Sequence, residues 1–97
     1  MRPVMHGDVV SAARAVLTLP TGARRAAIRR LFARAEAADR YRLRHGVAHP
    51  LWGNGSLMAV ARMQPLPPEP ALGDTEYCAC LADVFEALID WHKGVRA

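Results

Sequence analysis

A chain of 97 residues, 52% hydrophobic and 23% charged, allows one small domain and excludes both a disordered tail and a large multi-step enzyme. Its formal charge of +4 is uneven: residues 1–62 hold eleven arginines against Asp8, Glu36 and Asp39, whereas residues 63–97 hold Lys93 and Arg96 against six acids. Opposite halves of this kind can dock on one another, or the basic half can meet an anionic partner.

In chain order, the first helical period runs from Asp8 to Leu19, with Val9, Ala13, Val16 and Leu17 on one face. Asp8 suits the positive end of that helix, Pro20 stops it, and Thr21 is the expected cap of the next. The second helix spans about Thr21 to His45, with Gly46 as its stop. Its apolar arc is Ala27, Ile28, Leu31, Phe32, Ala35 and Ala38. A helix roughly 37 Å long needs the C-terminal helix, another subunit, or both to bury that arc.

The stretch His49–Ser56 is rich in turn residues, and Trp52 reads as an anchor over the helix junction. Ser56 caps a short helix, Leu57 to Met63. Four prolines between Gln64 and Gly73 make an extended, semi-rigid linker. The last helix runs from Asp74 or Thr75 to about His92. Tyr77, Leu81, Val84, Phe85, Leu88 and Trp91 form its apolar face, and Glu76, Asp83, Glu86 and Asp90 its acidic back. The pattern predicts an all-α single domain over 1–97, with helices at about 8–19, 21–45, 56–63 and 74–92 and the long helix antiparallel to the last.

Chemistry-bearing residues are sparse. Cys78 and Cys80 are two apart on a helix, diverge, and cannot bridge, which points to reduced thiols in a cytoplasmic protein. No metal is expected, because the cysteines and His45, His49 and His92 lack convergent ligand spacing. Neither a phosphate loop nor a nucleophile with its base is found, so no cofactor and no enzymatic activity are expected. No apolar run precedes Asp8 as in a signal peptide, and none is long enough for a membrane span, so no membrane partner is expected.

The remaining candidates are arginines. Arg24, Arg25, Arg29, Arg30 and Arg34, with Arg40, Arg42 and Arg44, girdle the second helix, and phosphate contact through them is sequence-indifferent and salt-dependent. Solvated helix faces and coding bias account for the same arginine count. The second helix is too long for an ordinary recognition helix, which argues against reading of a specific site.

Taken together, Met5-His6-Gly7-Asp8, Glu36-Ala37-Ala38-Asp39-Arg40-Tyr41-Arg42, the His49–Ala59 stretch and the Tyr77–Leu88 helix resemble a known family. It is the small terminase subunit of alphaproteobacterial gene transfer agents, a phage-like DNA-packaging protein. The resemblance covers nearly the whole chain as a combined pattern, no single piece of which is a specific motif. It implies a non-enzymatic ring oligomer that engages double-stranded DNA and regulates the large terminase, which supplies ATPase and nuclease. Small terminases usually carry a separate DNA-reading domain, for which this chain has no room, so contact without sequence preference is the expectation.

In a ring, the acidic face of residues 76–90 would meet a neighbour's arginines of residues 24–44, with apolar residues carrying the contact. Ile28, Leu31, Phe32, Tyr77, Leu81, Val84, Phe85, Leu88 and Trp91 are the core or oligomer-packing candidates, and residues after Trp91 are open to the motor. Two other classes compete: a small nucleoid-associated or helix-turn-helix-like regulator, and a protein-only adaptor whose arginines answer an acidic protein.

Overall fold

The computed structural model describes residues 1–94; Arg96, counted in the charge balance above, lies outside them. The chain forms four helices: α1 (His6–Val16), α2 (Thr21–His45), α3 (Leu57–Ala61) and α4 (Thr75–His92). No strand occurs among the described residues, only an isolated bridge between His49 and Gly53.

Local chemistry explains where each helix begins and ends. The Asp8 carboxylate accepts from the Met5 N–H at 2.8 Å, which fixes the start of α1 two residues earlier than Asp8. The α1 ladder ends at Val16, and Leu17–Leu19 form a turn closed by Leu19 N–H on the Val16 carbonyl. Pro20, with extended backbone, occupies the cap position of α2 and makes no side-chain cap bond. Thr21 is therefore the first residue inside the helix rather than its cap. Gly46 adopts φ 74°, the left-handed geometry that lets its N–H close α2 on the Arg42 carbonyl at 2.8 Å. Ser56 caps α3 as expected, accepting from the Ala59 N–H; Asp74 caps α4, which begins at Thr75, by accepting from the Tyr77 N–H. α3 itself stops at Ala61, two residues short of Met63.

The long helix and the C-terminal helix are in contact, yet they run in the same direction. Arg24 meets Glu76, Arg25 meets Asp83 and Glu86, and Phe32 meets Trp91 edge-on at 5.6 Å. The antiparallel partner of α4 is α1: Val4 and Met5, at its start, lie beside Leu88 and Ile89, near the end of α4. The short turn at 17–20 reverses the chain between α1 and α2, so α4 cannot oppose both. α1 packs more extensively on α4 than α2 does, and α1 rather than the spine is the hub of the core.

That core joins Val9, Ala12, Ala13 and Val16 of α1, Ala27, Ile28 and Phe32 of α2, Leu57 of α3, and Tyr77, Cys80, Val84 and Ala87 of α4. Leu31, Leu81, Leu88 and Trp91 are half-buried at its edge. Phe85 departs from the expected core: it is 50% exposed. The buried α4 positions 77, 80, 84 and 87 follow a 3–4 spacing, and Phe85 sits roughly 100° round the helix from Val84.

Polar ties and one close backbone approach hold the short elements. Asp8 is buried and bonds twice, since its second oxygen accepts from the Met58 N–H at 2.8 Å; one carboxylate thus serves the starts of both α1 and α3. Gly55 lies against α2 at φ 95°, where a Cβ would come within 2.7 Å of the Asp39 backbone. The proline linker is pinned rather than free. Arg14 donates to the Pro67 carbonyl at 2.8 Å, and the buried Tyr77 hydroxyl donates to Glu69 at 2.9 Å.

Candidate nucleic-acid interface

The arginines of α2 divide into two populations. Arg24 is only 5% exposed, and its Nε and Nη2 donate to the carbonyls of Leu19 and Leu17 while Nη1 pairs with Glu76 at 2.8 Å. It closes the turn after α1 and is not available to a phosphate. Arg25 reaches Glu86 at 2.7 Å and Asp83 at 3.3 Å. The hydrogen bond to Glu86, outweighing partial desolvation, raises its pKa and fixes the charge in place. These two positions fall out of the expected DNA-contact set for the same reason: α4 supplies carboxylates at their level.

The same contacts engage carboxylates that the ring interface was expected to use. Glu76, Asp83 and Glu86, expected to face a partner, are ion-paired to arginines of their own chain. The attraction between basic and acidic halves is satisfied inside one molecule. Asp90 alone of the four acidic candidates is exposed without an ion pair among the described residues.

Arg29, Arg30 and Arg34 are exposed. Arg30 and Arg34, one turn apart, flank an open groove of about 690 Å³ between the α1–α2 turn and the proline linker, with Leu19, Leu31, Pro65 and Leu66 in its walls. Arg34 also stands 5.8 Å above the Trp52 ring, a cation–π distance. Arg40 has only a loose 3.9 Å contact with Glu36, and Arg42 bonds Asp39 at 2.8 Å.

Behind Arg34 lies a ladder of rings that spacing alone did not reveal. His49 stacks on Trp52 at 4.8 Å with planes 7° apart, Tyr41 meets His49 edge-on at 4.9 Å, and Tyr41 contacts His45 at 4.3 Å. Gly46 and Pro50 break the helix between His45 and His49, which argued against their meeting. The left-handed turn at Gly46 instead folds the loop back, and Tyr41 bridges the two rings. His49 Nδ1 accepts from the Leu51 and Trp52 N–H groups at 3.0 and 3.1 Å, so this ring also shapes the turn. The legible signal was Tyr41 four residues ahead of His45 on one helix face. Trp52, expected as an anchor over the helix junction, is half-buried, with His49 stacked on its ring and Arg34 nearby.

Both cysteines are free thiols, Cys78 exposed and Cys80 buried in the core, where burial pushes its thiol pKa up. No group of three or more His, Cys, Asp or Glu side chains converges as a metal site among the described residues. No helix of the described chain is long and apolar enough to cross a membrane.

Exposed guanidinium groups thus stand beside stacked rings on a small all-α domain. The chain belongs to the family described as a domain of unknown function (DUF7742), whose model matches residues 2–88. No curated protein and no solved structure matches it.

Proposed function

We propose that this chain is a non-enzymatic DNA-packaging adaptor, resembling a small terminase, that assembles into a homo-oligomeric ring in the cytoplasm. It contacts double-stranded DNA weakly and without sequence preference, and recruits or regulates a large terminase. The observation that carries this reading is the division among the arginines. Arg24 and Arg25 are neutralised by α4, while Arg29, Arg30 and Arg34 remain as an uncompensated basic surface. A surface of that kind binds the regular phosphates of a duplex by counterion release and reads no bases.

Replacing Arg29, Arg30 and Arg34 together by alanine tests the reading through the salt dependence of binding to random-sequence duplex. The slope of log K against log salt should fall by about 3, one unit for each phosphate no longer neutralised. An unchanged slope removes these residues from the interface. Tight binding to one operator-like sequence transfers the chain to the regulators, and no duplex binding even at low salt leaves the protein-only adaptor.

A further inference from the structure

The unused side of α4 carries a second apolar stripe. Cys78, Ala82, Phe85 and Ile89 recur at spacings of four, three and four, the seam of a coiled coil. They lie about 150° round the helix from the buried stripe at Tyr77, Cys80, Val84 and Ala87. All four are exposed, Phe85 at 50% and Ile89 at 53%. Phe85 and Ile89 line one wall of an open groove against the start of α1, and half of each side chain is left uncovered there.

We infer that this stripe pairs with the same stripe of a second copy, antiparallel, about a twofold axis between Asp83 and Val84. The sequence of the stripe dictates that register. It sets Ala82 against the second copy's Phe85, and Cys78 against the second copy's Ile89. Each small side chain receives a large one, twice by symmetry, whereas a parallel pair stacks Phe85 on Phe85 and leaves a gap at Ala82.

Charge selects the same direction. Antiparallel pairing brings Lys93 of one copy to the level of Asp74 in the other, while parallel pairing places like charge on like charge. Glu86 beside the seam has its charge met at 2.7 Å by Arg25 of its own chain, which limits acidic repulsion across the axis.

Two further exposed side chains find a place. Leu72, 69% exposed just before α4, accepts from the Cys78 thiol at 3.0 Å through its carbonyl, which holds it beside the seam at the level of the groove that Met5, Phe85, Leu88 and Ile89 line at the far end of the second copy's helix. Met5, itself 68% exposed, is the rim of that groove. The contact is isologous and closes at two copies, so a ring built on it is a ring of pairs. This inference goes beyond the adaptor reading, since it requires neither DNA nor a motor.

The native Cys78 provides the test. Ile89→Cys, under mild oxidation, should give a covalent dimer whose mass-mapped link joins residue 78 of one chain to residue 89 of the other. Adding Cys78→Ser should abolish that link. Phe85→Asp should convert the wild-type dimer to monomer by native mass spectrometry with its helical circular dichroism retained. Links joining 89 to 89 or 78 to 78 overturn the antiparallel register. A wild-type protein that stays monomeric at high micromolar concentration, or a Phe85→Asp variant that still dimerises, overturns the seam.

Discussion

Arg24→Ala removes three hydrogen bonds from one buried side chain. Two of them serve the carbonyls of Leu17 and Leu19 at the end of the α1 turn, at 3.2 and 3.1 Å, and the third pairs with Glu76 at 2.8 Å. The two contributions differ in weight. Hydrogen bonds from a charged donor are each worth about 1.5–3 kcal/mol, somewhat less where water replaces part of the loss. The Glu76 carboxylate is largely exposed, so its pair contributes no more than about 1 kcal/mol. Both carbonyls are only part-buried, so water reaches them once they are freed; each bond is then discounted to about 1–1.5 kcal/mol, and with the ion pair the cost of Arg24→Ala is roughly 2–4 kcal/mol. For a chain of this size that lowers the thermal midpoint by roughly 10–25 °C. Glu76→Ala, the matched control, should lower it by only a few degrees. Thermal unfolding followed by circular dichroism compares the two directly. Equal shifts would refute the argument, because they would make the exposed ion pair, and not the closure of the α1 turn, the work of Arg24. Folded Arg24→Ala should also keep the wild-type salt slope for duplex DNA, since this guanidinium faces no phosphate.

The two aromatic residues of the expected core should separate: Phe32→Ala, fully buried and edge-on to Trp91, should cost about 3–5 kcal/mol in denaturant unfolding, while Phe85→Ala in dilute monomer should cost well under half of that. Tyr77 has its pKa raised from 10.0 to about 12, first by burial and then by its bond to Glu69. A raised pKa stabilises the fold fully below pH 10 and loses that contribution as pH climbs through 12, by roughly 1–3 kcal/mol. The difference between wild type and Tyr77→Phe, followed by unfolding midpoints from neutral pH upward, should therefore shrink at alkaline pH; a constant difference would refute the burial argument.

Much of the fold was written in local signals. Gly46, Ser56 and Asp74 punctuate the helices where expected, because capping and left-handed turns depend on neighbours within a few residues. Direction and facing were less legible. α4 is apolar over so wide an arc that Phe85 is indistinguishable by hydropathy from Val84, and only packing on α1 and α2 decides which is buried. The parallel sense of α2 and α4 follows from α1 running antiparallel to both, a long-range relation that no local signal carries. Ala12 and Ala13 are fully buried in α1 because small side chains let the helices approach closely. Among the arginines, neither Arg24 nor Arg25 carries a sequence mark to distinguish it from Arg29 or Arg30. Their carboxylate partners are more than 50 residues away.

The pairing of Arg24 and Arg25 with α4 has a consequence for affinity. It cancels charge at one end of α2 and leaves the surplus on Arg29, Arg30 and Arg34, with Arg40 and Arg44 further along. Three to five guanidinium groups make few phosphate contacts, and binding that rests on so few is weak at physiological salt and falls steeply above it. A single copy is thus poorly suited to hold a duplex. Copies joined through the Phe85–Ile89 stripe present the same arginines repeatedly, and each contact after the first is effectively intramolecular. In the packaging reading, assembly and DNA contact are therefore one property: a variant without the seam, such as Phe85→Asp, should show weaker apparent duplex affinity while every arginine remains in place. If that variant is monomeric and still binds duplex as tightly as wild type, avidity plays no part and the arginine surface acts alone.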